Sequence, residues 1–216
     1  YMQGWQEKNT ELLHDPWFSI WRNPRETMRE ILDVDPNRYV LLLAVAAGFI
    51  EALEWATEQH LGDDYPLFVV LLICALAGAA GGLLFLHIGA WVMQRIGGWL
   101  GGKASFVDMR AAMAWSTVPI IWTSLFWLPA IAIFGNRLFQ STDLELPEMV
   151  WIIPPLVVVA IAAIIIGIWA LYIFINCVAE AHRFSVWHAL LTAFLVFILV
   201  VVTAIVIALP FELLAA

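Results

Sequence analysis

The sequence predicts an all-α polytopic membrane protein, a bundle of five transmembrane helices with a short N-terminal amphipathic interfacial helix. Three observations carry that expectation. Hydrophobic residues fill 63% of the 216 positions and charged ones only 13%, far from the roughly 45–50% and 25% of a water-soluble domain. The apolar residues gather into five runs, each near the roughly 20 residues that a helix needs to cross a hydrocarbon layer. The ten Lys and Arg fall almost wholly in alternate connections, as they do when positively charged loops stay cytoplasmic.

Residues 1–38 form a cytoplasmic segment too short and too polar to build a second core. They hold no apolar run of signal-peptide type, so the first span is expected to direct insertion. Within DPWFSIWRNPRETMREIL, Asn23 can cap a helix, Pro24 suits its first position, and Glu26 answers exposed amides at the third. Met28, Ile31 and Leu32 then share one face and Arg25 and Arg29 another, while Trp17, Phe18, Ile20 and Trp21 form an apolar wedge. Such a helix lies in the headgroup zone or packs on the protein's own cytoplasmic face, and the two are compatible.

The membrane domain fills 39–216, with spans over 39–56, 67–93, 111–134, 149–178 and 187–210. The fourth run exceeds a simple crossing and carries Pro154 and Pro155 near its start, which predicts a tilt, a bend or an interfacial first turn. Lys8, Arg22, Arg25, Arg29 and Arg38 precede span one; Arg95, Lys103 and Arg110 lie between spans two and three, and Arg183 between four and five. The opposite side holds only Arg137, with Glu58, Asp63, Asp64, Asp143, Glu145 and Glu148. The pattern predicts a multi-pass protein of the cytoplasmic membrane, with its N-terminus inside the cell and its C-terminus outside. The lack of a basic stripe excludes nucleic acid as a partner. Cys74 and Cys177 sit inside apolar runs, where a thiol packs as a small hydrophobe.

Two polar groups are candidates for chemistry. Glu51 and Glu54 lie about 20 Å and about 24 Å from Arg38 along span one and share a helix face. No Lys or Arg lies inside any span, so these carboxylates lack a counter-ion at their depth. Thr123 and Ser124 in span three and Cys74 in span two are candidates to meet them. Either Glu54 reaches water and Glu51 stays neutral in packing, or the pair forms a proton or cation site. At the cytoplasmic end, His87, Asn176, Glu180 and His182 form a candidate polar or metal cluster without the fixed spacing of a metal motif. A metal cation is therefore the one cofactor the residues suggest. Cys74, Gly78 and Gly82, and the pairs Gly97/Gly101 and Gly98/Gly102, have the four-residue spacing that lets helices approach closely. No nucleophile, base and orienting group assemble, so the chain is expected not to be an enzyme.

The connection LGGKASFVDMRAAMAWSTVP, the entry WFSIWRNPRETMREIL and the exit CVAEAHRFSVWHALL resemble the signatures of the Yip family, the Ypt/Rab-interacting membrane proteins, and its prokaryotic branch in particular. The resemblance implies a five-span protein that organises membranes or protein partners. Its family positions are Pro24, Arg25, Gly101, Gly102, Lys103, Pro119 and Glu180 through Phe184 and Ser185. Eukaryotic relatives bind prenylated small GTPases through a longer N-terminal region. Here that region is short and lacks their Asp-Leu-Tyr-Gly-Pro type motif, which counts against GTPase binding. The expected partners are the lipid bilayer and other membrane proteins, a second copy included. The expected function is a scaffold or membrane-organising factor; the alternative is a small transporter or channel using Glu51 and Glu54.

Overall fold

Helices occupy nearly all of what the structure, a computed structural model, describes: residues 15–141 and 146–215, of which 146–156, 159 and 210–215 are described as backbone only. In order they are α1 (Pro16–Arg22), α2 (Pro24–Val34), α3 (Val40–Glu58), α4 (Leu61–Asp64), α5 (Leu67–Trp99), α6 (Phe106–Ser116), α7 (Val118–Trp122), α8 (Ser124–Phe134), a 3-10 turn (Gly135–Phe139), α9 (Leu146–His182) and α10 (Val186–Ala215). No strand occurs among the described residues.

The expected single N-terminal helix is two. Asp15 caps α1 by accepting from the Trp17 N–H at 3.1 Å. Pro24 then holds Asn23 at φ −127° and ψ 62°, outside the helical region, and Asn23 makes no side-chain capping bond. The Thr27 hydroxyl donates to Ser19 Oγ at 2.9 Å across the resulting corner. Met28 and Ile31 are buried and Leu32 is half-buried against the bundle, while Phe18 stays 62% exposed. The pair thus packs on the protein's own surface and still presents an aromatic group outward.

α3, α5, residues 160–182 of α9 and residues 186–209 of α10 are each long and apolar enough to cross a bilayer. The third expected run is bent by 41° between Phe106–Trp122 and Ser124–Phe139, and counts as a fifth crossing if taken as one span. The bend falls at Thr123, between Trp122 and Ser124. Pro119, which lacks the N–H that would continue a helix, marks the separate break between α6 and α7 at Thr117. Ser116, Thr117 and Thr123 each donate a hydroxyl to a carbonyl three residues earlier, at 2.6–2.7 Å, a habit that bends helices. The chain is a polytopic all-α bundle, and α9 runs through Pro154 and Pro155 as a continuous helix.

α3 and α5 make the most extensive helix pair, running antiparallel almost without side chains between them. A Cβ placed on Gly48 would lie 2.8 Å from Gly82 Cα; one on Gly78 would lie 2.7 Å from Phe49 Cα. One step further along, Cys74 Sγ donates to the Ala52 carbonyl at 3.4 Å. The four-residue spacing expected of Gly78 and Gly82 therefore meets a matching row on α3: Ala44, Gly48, Ala52. By contrast α10 exposes nearly all of its apolar surface beyond Thr192, as a helix bathed in lipid does.

Two ends of the bundle emerge. At one, Asn136 and Gln140 donate side-chain N–H groups to the Gly62 carbonyl at 2.9 and 3.1 Å, tying α4 to the turn after α8. At the other, α2 packs on α9 and α6, with α1 against α2.

Candidate functional site

α5 and α9 finish in the same way and lock into each other. In α5 the Gly102 N–H donates to the Gly97 carbonyl at 2.9 Å and the Gly101 N–H to Gly98 at 3.1 Å, with Gly101 at φ +89°. In α9 the Phe184 N–H donates to Ala179 at 3.1 Å and the Arg183 N–H to Glu180 at 3.0 Å, with Arg183 at φ +56°. Both are Schellman ends, which satisfy the otherwise orphaned last carbonyls of a helix.

Between them lies the imidazole of His182, 1% exposed. Its ring occupies a slot that exists because Gly97 and Gly102 have no side chain: a Cβ on Gly97 would come 2.8 Å from His182 Cδ2, and one on Gly102 2.7 Å from Cγ. The Ala104 N–H donates to His182 Nδ1 at 3.4 Å. The ring proton therefore sits on Nε2, which faces the Met93 carbonyl at 3.3 Å. The Lys103 N–H donates to the His182 carbonyl at 3.0 Å, and the Phe184 ring covers the imidazole at 4.8 Å between centroids.

The N-terminal helices are fastened to the same place by charge. Glu180, its side chain 11% exposed, receives Arg25 Nε at 3.2 Å and Arg29 Nε at 2.8 Å. Arg25 also donates to the Phe184 carbonyl at 3.3 Å. Its hydrogen bond to Glu180, and that group's charge, raise the Arg29 guanidinium above its ordinary pKa. Glu180→Gln is expected to lower unfolding stability by about 2 kcal/mol, the scale of a lost charge-assisted bond in a partly buried site. Chemical unfolding in detergent measures it, and Arg29→Gln added to Glu180→Gln should cost less than the two changes apart.

Other candidates from the sequence are dispersed. His87 is exposed and bonds the Leu83 carbonyl through Nδ1 at 2.8 Å, and Asn176 donates to Tyr172 O at 2.8 Å. Neither joins His182 or Glu180, and no set of three His, Cys, Asp or Glu able to hold a metal occurs among the described residues. Pro24 is buried at the start of α2, Pro119 is buried in the first turn of α7, and Ser185 caps α10 by accepting from the His188 N–H at 3.4 Å. Glu51 and Glu54 are both exposed. Glu51 lines a cleft of about 600 Å³ between α3, α5 and α6, but Glu54, Thr123 and Ser124 do not.

The clamp thus unites WRNPRET, GGWLGGK and AEAHRFS, three stretches far apart in the chain. A family model for the Yip1 domain matches residues 18–208 and so spans all three. The chain belongs to the Yip1 domain family. No curated protein and no solved structure matches it. In this Yip1 domain, sequence reasoning missed the pairing of Arg25 and Arg29 with Glu180 and the seat of His182, because both join residues about 80 to 155 positions apart. The Gly doublets were the available signal for the slot.

Proposed function

We propose that this Yip1-domain protein is a non-enzymatic scaffold that organises lipid or membrane-protein partners in the cytoplasmic membrane, its clamped end toward the cytoplasm. The supporting observation is where the motif residues go. Arg25, Gly102, Lys103, Glu180 and Phe184 fasten one end of the bundle instead of lining a cavity. Around that rigid end Trp99 is 82%, Trp187 78% and Phe18 62% exposed, a display of aromatic rings suited to the headgroup layer. Arg95 adds a cation over the Trp91 ring at 5.8 Å.

Purified chain reconstituted into phosphatidylethanolamine–phosphatidylglycerol vesicles should shift vesicle size as protein density rises, seen by cryo-microscopy. A triple variant, Phe18→Ser, Trp99→Ser and Trp187→Ser, should keep its helix content and lose the shift. Vesicles indifferent to protein density would remove the membrane-organising reading. Transport has one supporting observation, the cleft beside Glu51, but no other charged side chain lines that cleft.

A further inference from the structure

The cleft between α3, α5 and α6 opens sideways, toward the space that lipid fills. Its walls are mostly apolar, and Gly78, Gly81 and Gly82 leave bare backbone along one side. Three lining groups differ in kind, and all favour a positive guest. Glu51 brings a carboxylate that meets no hydrogen bond or ion pair among the described residues. Thr117 spends its hydroxyl proton on the Ala114 carbonyl at 2.7 Å, which leaves its oxygen free only to accept. Trp55, 47% exposed, offers a ring face, and ring faces attract cations.

No Lys or Arg lines the cleft, so the chain does not supply the counter-ion itself. Ca²⁺ and Mg²⁺ want six or more oxygen ligands and Zn²⁺ three or four side-chain ligands, and no set of three metal-binding side chains exists among the described residues. An ammonium group is content with one carboxylate, and an aromatic ring one helix turn away, as Trp55 is from Glu51, adds to its hold. The rest of the space is apolar, and its volume falls within the roughly 300–1,000 Å³ of pockets that enclose small molecules. We propose that the cleft binds a single-chain amphiphilic amine drawn from the bilayer, its ammonium against Glu51 and its hydrocarbon chain across the glycines of α5.

This binding is independent of the scaffold reading, since it involves neither the clamp nor the exposed aromatic rim. The test uses full-length chain in nanodiscs and radiolabelled dodecylamine, with dodecanol as the uncharged counterpart. Retention should be saturable for the amine and at least tenfold weaker for the alcohol. Glu51→Gln should weaken amine binding at least tenfold. Gly81→Leu should do the same by filling the cleft, and it should fold normally because a Cβ on Gly81 meets nothing within 4 Å. Glu54→Gln should bind as the parent does. Equal retention of amine and alcohol, or amine binding unchanged in both cleft variants, would overturn the proposal. So would an absence of saturable retention, which would reassign the cleft to a neighbouring helix carrying a basic residue.

Discussion

A Gly48→Leu chain is expected to lose most of its folded population in mild detergent. The position faces backbone: a Cβ there would sit 2.8 Å from Gly82 Cα and 2.9 Å from Gly82 N, and would collide with the Gly78 carbonyl oxygen. Side chains can rotate out of the way, whereas a helix backbone moves only as a whole. Seating a leucine therefore means prising α3 from α5 along the whole row of Ala44, Gly48 and Ala52. That forfeits contacts of the kind that drive helix association in lipid, where no water-derived force draws helices together. The cost should exceed about 3 kcal/mol, above the usual range for overpacking. Thermal unfolding in detergent checks this, with Gly81→Ala as the companion: on the same helix but facing open space, it should change the midpoint little. A Gly48→Leu chain as stable as the parent would mean that α3 and α5 do not touch here.

Gly97→Ala and Gly102→Ala should each cost about 2–3 kcal/mol, through strain plus the hydrogen bonds lost when the imidazole is displaced. The methyl group would enter the ring of His182 from either side, and the ring has nowhere to retreat with Phe184 covering it. Gly98→Ala is the discriminating control, because a Cβ there meets nothing within 4 Å. Three neighbouring glycines thus carry opposite expectations. If all three variants unfold alike, the doublets act through chain flexibility rather than through the slot.

How much of this was legible depends on the range over which each signal acts. Length and apolarity placed the helices, because crossing lipid is a demand that each run meets by itself. The spacing of Gly78 and Gly82 marked a contact face, yet Gly48, an isolated glycine between Ala47 and Phe49, went unread as its counterpart. The break between α6 and α7 was written in Thr117, Val118 and Pro119, but a run of apolar residues masked it. The two-helix entry turned on Pro24, which both starts α2 and stops α1. The polar candidates fared differently. The side of the membrane that His87, Asn176, Glu180 and His182 share follows from helix count, whereas rotation about each helix axis does not. His87 consequently points away from the clamp while His182 lies within it. Thr123 was paired with Glu51 on depth alone, and its hydroxyl turns inward to its own helix.

The union of α3 with α5 has a consequence for the clamped end of the bundle. α3 has 19 residues and α5 has 33, or about 28 Å against about 50 Å at 1.5 Å per residue. Their register sets Val40 level with the region of Leu86, so α5 climbs about 20 Å further before it stops. Ile88 and Trp91 are exposed along that stretch. Two rods joined this tightly cannot lean separately to even out the difference. The last turns of α5, from Met93 to Trp99, therefore stand past the end of α3 and carry Arg95 and the first glycine doublet of the clamp beyond it.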